Sequence, residues 1–151
     1  MRLSSSLLAL AVTLASVVGY ASFSVAEDKA AEVKIADCKC PVSGKPCDET
    51  KLATLDGAKV YFCCDGCKAK FEKDSAPFTA KAHLQMVQTG QFGQKACPFS
   101  GGKTKDGTEV SIDGVKVAFC CNNCQAKAEK AGEDAVKLVF GAGFAKGFVK
   151  K

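Results

Sequence analysis

The chain has 151 residues and a formal net charge of +5, from 21 Lys and Arg against 16 Asp and Glu. Arg2 is its only arginine, so the bidentate base and phosphate contacts of nucleic-acid readers lack a side chain, and the dispersed lysines read as a solvated surface. Ten cysteines beside a single histidine leave no Ser-His-Asp or Cys-His arrangement for two halves to share, so a non-enzyme is expected.

Residues 1–26 have the form of a secretory leader. Arg2 supplies the positive start, Leu7 to Val18 is an uncharged apolar run, and Ser24-Val25-Ala26 puts small residues at −3 and −1. The run is too short for a comfortable membrane span. The expectation is export to the periplasm or the extracellular space, with cleavage after Ala26 (Ala21 is the alternative) and no membrane association afterwards. Residues 27–37 are polar without sustained pattern and read as an N-terminal arm.

From Cys40 onward the chain says everything twice. Cys40-Pro41-Val42-Ser43-Gly44 recurs as Cys97-Pro98-Phe99-Ser100-Gly101. Asp56-Gly57 recurs at 113–114, Lys59-Val60 at 116–117, and Cys63-Cys64-x-x-Cys67 at Cys120-Cys121-x-x-Cys124, every member displaced by 57 positions. Such self-similarity marks a duplicated unit. The units are read over 38–90 and 96–151, joined by a linker at 91–95. At about 55 residues each, they are at the low end of what an apolar core stabilises alone, so a disulfide or metal staple is expected.

Within each unit the elements follow from pattern. Lys51 to Leu55 and Ala58 to Cys63 flank Asp56-Gly57, whose residues suit the two positive-φ positions of a type I′ turn. Ala58, Val60 and Phe62 alternate onto one face. Thr108 to Ile112, Asp113-Gly114, and Val115, Val117 and Phe119 repeat this. Asp65 to Lys73 and Asn122 to Ala131 read as short helices that start at the cysteine clusters, with Phe71 and Ala128 as core anchors. Asp74-Ser75-Ala76-Pro77 opens another helix that ends at Gly90, with Ala80, Leu84 and Val87 as its apolar stripe. A last helix is expected around Asp134 to Phe140, followed by a Gly-rich tail in which Phe144 and Phe148 fold back. The class is α+β.

Cys40 lies on a turn, whereas Cys63, Cys64 and Cys67 lie where strand passes into helix. Zinc takes four borderline or soft ligands from two such segments. Ser43 and Ser100 stand where a second knuckle cysteine would be, and Cys64 and Cys121 supply the extra thiols instead. The residues leave two options open. Either Cys64 and Cys121 are fourth ligands, or each site has three sulfurs and an open position. We favour the closed set, since an idle thiol beside a site oxidises readily after export. Four thiolates suit zinc, and two or three suit Cu(I). A disulfide scaffold is the competing reading for an exported chain with an even cysteine count.

The spacing Cys-x22-Cys-x3-Cys, with the Pro-Val-Ser-Gly and Val-Tyr-Phe-Cys-Cys-x-x-Cys-x-x-x-Phe strings, resembles the TRASH domain and the related YHS domain over about residues 38–75 and 95–131. The resemblance implies two tandem, small treble-clef-like modules, each a β-hairpin followed by short helices. It implies zinc, copper or a similar heavy metal held by Cys40, Cys63 and Cys67 and by Cys97, Cys120 and Cys124. Roles in metal sensing, trafficking or resistance come with it. Two ions are thus expected, zinc first and Cu(I) second. A scaffold whose metals or disulfides only hold a partner-binding fold is the alternative. Cys38 and Cys47 correspond to Lys95 and Thr104 in the repeat, and are read as a disulfide of the first unit, with one of them as a substitute metal ligand as the alternative. His83, opposite Phe140 in the repeat, is read as a packed helix position.

Overall fold

The computed structural model describes residues 34–151; the leader and most of the arm lie outside the described residues. Among the described residues the architecture is mixed α and β, with three two-stranded antiparallel sheets and several short helices. Strands β1 (Asp48–Leu55) and β2 (Ala58–Phe62) form the first hairpin. Asp56 and Gly57 have φ of 51° and 74°, the positive pair that a type I′ turn requires. Val60 and Phe62 are fully buried and Lys59 is exposed, as alternation demands, but Tyr61 beside them is also buried, so the outer face is covered at that end of the strand. Helix α1 (Asp65–Lys73) follows, and its Phe71 packs on Phe62 at 5.2 Å between ring centroids.

A single 3-10 turn at Ala76–Phe78 leads into α2 (Thr79–Gln88). This helix buries Ala82, His83, Leu84, Gln85 and Met86 in succession. No one-sided stripe does that. The stripe read at Ala80, Leu84 and Val87 covers one face only, and α2 is enclosed because both halves pack on it. It contacts β2 of its own half, and β5 and the Lys137–Ala142 turn of the other. Among its contacts, the His83 ring stacks on Phe144 at 3.7 Å.

In the second half, β4 (Val110–Ile112) and β5 (Val115–Val117) form the hairpin, again with positive φ at Asp113 and Gly114. It is shorter than its counterpart. The reason is Thr108, whose buried hydroxyl accepts the Phe119 N–H at 3.1 Å and so takes a place that a ladder bond would fill. Helix α3 (Asn122–Ala131) matches α1. The helix read around Asp134 to Phe140 is realised as a 3-10 turn at Gly132–Asp134 and a π-helix over Lys137–Ala142, then α4 (Phe144–Gly147). Gly143 explains the change of winding. A Cβ there would lie 2.8 Å from the carbonyl oxygens of both Pro98 and Val139, so only glycine lets the chain cross the Cys97-Pro98 turn this closely. Gly143→Ala is therefore expected to push Pro98 and disturb the Cys97 site while sparing the Cys40 site. Site-resolved metal or thiol titration checks this, and equal loss at both sites would refute it.

The stretch read as a linker carries strand β3 (Phe92–Gln94), which pairs with the C-terminal strand β6 (Phe148–Lys150). The register is Phe92 to Lys150 and Gly93 to Val149. Shift each residue by the repeat and these two pairs exchange, so the halves meet about a local pseudo-twofold axis. His83 and Phe140, also repeat equivalents, touch near it: His83 Nδ1 lies 2.7 Å from the Phe140 carbonyl oxygen. One continuous core results, with Val60, Phe62 and Phe71 from the first half and Val117, Phe119 and Phe140 from the second. Phe144 and Phe148 fold back into it. Among the described residues, no helix is long and apolar enough to cross a membrane.

Candidate metal centres

Each centre begins with a tight turn. In the first, Cys40 N–H donates to Lys45 O at 2.8 Å, Gly44 N–H donates back to Cys40 O at 2.8 Å, and Gly44 takes a φ of 73°. The second repeats it, with Cys97 N–H to Gly102 O and Gly101 N–H to Cys97 O, both 2.8 Å. Pro41 and Pro98 are fully buried beneath these turns. The hairpin then carries the chain back so that Cys63, or Cys120, follows the end of its second strand above the turn. Cys67 and Cys124 come from the first turns of α1 and α3.

Three sulfurs converge in each half. The Sγ atoms of Cys40, Cys63 and Cys67 all lie within 4.8 Å of one another, as do those of Cys97, Cys120 and Cys124. Cys63 and Cys67 are 3.6 Å apart, and Cys120 and Cys124 are 3.7 Å apart. Zinc–sulfur bonds of about 2.3 Å at tetrahedral or trigonal angles place sulfurs roughly 3.8–4.0 Å from each other. The clusters therefore fit one thiophilic ion each. Cys64 Sγ lies 3.7 Å from Cys63 Sγ, and Cys121 Sγ 3.8 Å from Cys120 Sγ, but neither belongs to the set in which all sulfurs are mutually close. They are the N-cap residues of α1 and α3, with extended backbone there. Cys64 is exposed, whereas Cys40 and Cys97 are buried.

The serines in the vacant knuckle positions contribute otherwise. Ser43 Oγ lies 3.1 Å from Cys63 Sγ, and Ser100 Oγ 3.2 Å from Cys120 Sγ. Burial pushes the Cys40 thiol up, yet the Ser43 hydroxyl and the N–H groups of Ser43, Cys63 and Val42 overcome it and bring the thiol down to about 7. Burial likewise opposes, and Ser100, Cys120 and Phe99 outweigh, at Cys97, which falls to about 6. Burial and the neighbouring Cys63 and Cys64 sulfurs push Cys67 up to about 12, and Cys124 is raised in the same way. One thiolate is thus prepared in each triad, and a bound cation would deprotonate the others. These serines are legible in the sequence as a departure from a knuckle. Their hydrogen-bonding part is visible only in the fold.

The two centres differ at their rims. Beside Cys64, Lys51 Nζ pairs with Asp65 at 2.8 Å. The repeat equivalents are Thr108 and Asn122, which cannot form that pair. A shallow cleft of about 330 Å³ opens there instead, lined by Lys105, Cys120, Cys121, Asn122 and Asn123.

Cys38 and Cys47 are free thiols standing opposite each other across the Lys39–Pro46 bridge, with Cys47 N–H donating to Cys38 O at 3.1 Å. Cys47 is held away from the triad. Its thiol donates to Tyr61 O at 3.3 Å and its sulfur accepts from Gln85 Nε2 at 3.2 Å, while burial pushes it up to about 12. Buried Gln85, which the sequence did not single out, also clasps the Tyr61 N–H and carbonyl. Gln94 does the same for Ala118, the repeat equivalent of Tyr61, from a different place in the chain. His83 is buried away from both sulfur triads. Its Nε2 lies 2.8 Å from Asp56 Oδ2.

No protein-family model matches the chain, and neither does any curated protein or solved structure.

Proposed function

We propose that the chain is an exported, tandem TRASH/YHS-like metal-binding protein that holds one thiophilic ion in each half and takes part in metal trafficking or sensing. The observation that carries this is the recurrence of the three-sulfur cluster at sulfur spacings a zinc or Cu(I) ion requires. A disulfide framework would not call for three converging thiols. The leader-like pattern of residues 1–26 supports export, and the cysteine strings support the family reading. Zinc remains the first candidate, with its fourth position taken from outside the triad. Cu(I) in a threefold set is the second. The position of Cys64 and Cys121 outside the mutually close sets favours sites that exchange ions over sites that only hold a scaffold. In this reading the protein binds and passes on metal and catalyses nothing.

The test is stoichiometry. The reduced protein should take up two equivalents of zinc, and Cys97→Ser should abolish one while the Cys40 centre keeps its own. Elemental analysis of protein from its native compartment then names the metal. A reduced parent that binds no zinc and no Cu(I) would overturn the reading.

A further inference from the structure

Each cluster keeps a thiol that its triad does not use, and that thiol lies where chemistry from outside can reach it. We propose that Cys64 with Cys67, and Cys121 with Cys124, are dithiol–disulfide pairs through which an external disulfide opens the two triads. The release of metal rests on the metal-binding reading; the disulfide chemistry does not.

Three observations place the pairs. Cys64 and Cys121 are N-cap residues, and Cys67 and Cys124 lie three positions on, so each pair brackets the first turn of its helix. That Cys-x-x-Cys placement is the one in which an outer thiol attacks and an inner thiol resolves. Second, accessibility in the first half is graded in the direction needed, with Cys64 exposed and Cys67 half-buried, while Cys121 and Cys124 are both half-buried. Third, the sulfurs form a contact chain, Cys64 to Cys63 at 3.7 Å and Cys63 to Cys67 at 3.6 Å, repeated at 3.8 and 3.7 Å in the second half. Closing a bond to about 2.0 Å then takes side-chain rotation rather than refolding. Cys63 is the poorer resolving partner. It is adjacent to Cys64 in sequence, and Ser43 already engages its sulfur.

The exchange balances with a low-molecular-weight disulfide, RSSR, as oxidant. The Cys64 thiolate attacks one sulfur of RSSR and expels RS⁻. The Cys67 sulfur then attacks the Cys64 sulfur of the mixed disulfide and expels the second RS⁻. The protein loses two electrons and RSSR gains them. In metal-free protein the two thiol protons leave on two RSH; in loaded protein Cys67 has already given up its proton, and the second RS⁻ takes one from solvent. The Cys67 sulfur is no longer a thiolate donor. The triad is reduced to Cys40 and Cys63, too few to hold the ion tightly.

Glutathione disulfide is the probe. Reduced full-length protein, metal-free in one arm and zinc-loaded in the other, is treated with it. Bonds are mapped by digestion and mass spectrometry, and zinc release is followed with a chromophoric chelator. The expected bonds are Cys64–Cys67 and Cys121–Cys124, with zinc lost as they form. Cys64→Ser combined with Cys121→Ser should slow that loss by about tenfold or more, since the accessible attacking thiols are gone. Mapped bonds that leave Cys67 and Cys124 reduced would overturn the proposal, and so would equal release rates in parent and variant. Both bonds forming in a parent that never bound zinc would support the pairs and defeat only the metal reading.

Discussion

Serine at Cys40 or Cys97 is expected to weaken zinc binding in the altered half by orders of magnitude, whereas serine at Cys64 and Cys121 together preserves most of it. Three sulfurs converge in each half and the fourth stands outside the mutually close set. Structural zinc sites are worth about 10–16 kcal/mol in all, so removing one of three sulfurs costs roughly a third of that. At about 1.4 kcal/mol per decade, the affinity falls by roughly two to four decades. Cys40 and Cys97 are the buried members, prepared as thiolates by the turn N–H groups around them, and a serine hydroxyl there would not ionise. The measurement is competition against a chromophoric zinc chelator. If the Cys64→Ser, Cys121→Ser protein loses as much affinity as Cys40→Ser, each site has four sulfurs and must close around the ion when it binds.

That contrast marks where the sequence stops being readable. The repeat spacing places Cys40, Cys63 and Cys67 in one locality, because a turn, a hairpin and a helix start leave few other ways to close the chain. It does not decide Cys64. Adjacent residues in an extended segment point apart, and only the fold shows that the Cys64 sulfur, 3.7 Å from that of Cys63, lies outside the set in which all sulfurs are mutually close. The hairpins were legible for the same local reason: Asp-Gly between alternating apolar residues has few other solutions. What needed the fold was everything between the halves. Residues 92–94 look like a linker because their strand partner, 148–150, lies at the far end of the chain. The face of α2 holding Ala82, His83 and Met86 looks half-polar because the surface that covers it comes from the other repeat. Reading each unit by itself also leaves out the apolar surface it shares with its twin. The apolar surface that each half cannot bury alone is buried by its twin.

Phe140→Ala is accordingly expected to destabilise both halves together, although the residue belongs to the second. Its side chain is fully buried, its ring lies 5.3 Å from that of Phe148, and its carbonyl receives His83 of the first half at 2.7 Å. Phenylalanine-to-alanine changes at such core positions cost about 3–5 kcal/mol. Domain stabilities are about 5–15 kcal/mol, so a loss of that size is a large share of the total. The local consequence is equally direct. A cavity at Phe140 loosens the π-helix from α2, and α2 carries Gln85, which fixes the Tyr61 backbone one residue from buried Phe62. Urea unfolding of reduced, metal-free protein checks this with two probes. Circular dichroism follows the whole chain, and alkylation of Cys38 and Cys47 follows the first half alone, where Cys38 is buried and Cys47 half-buried. Both transitions should move to lower urea by the same amount. A first-half transition that stays at its parental midpoint would show that the two repeats fold as separate bodies and that the shared core contributes little to either.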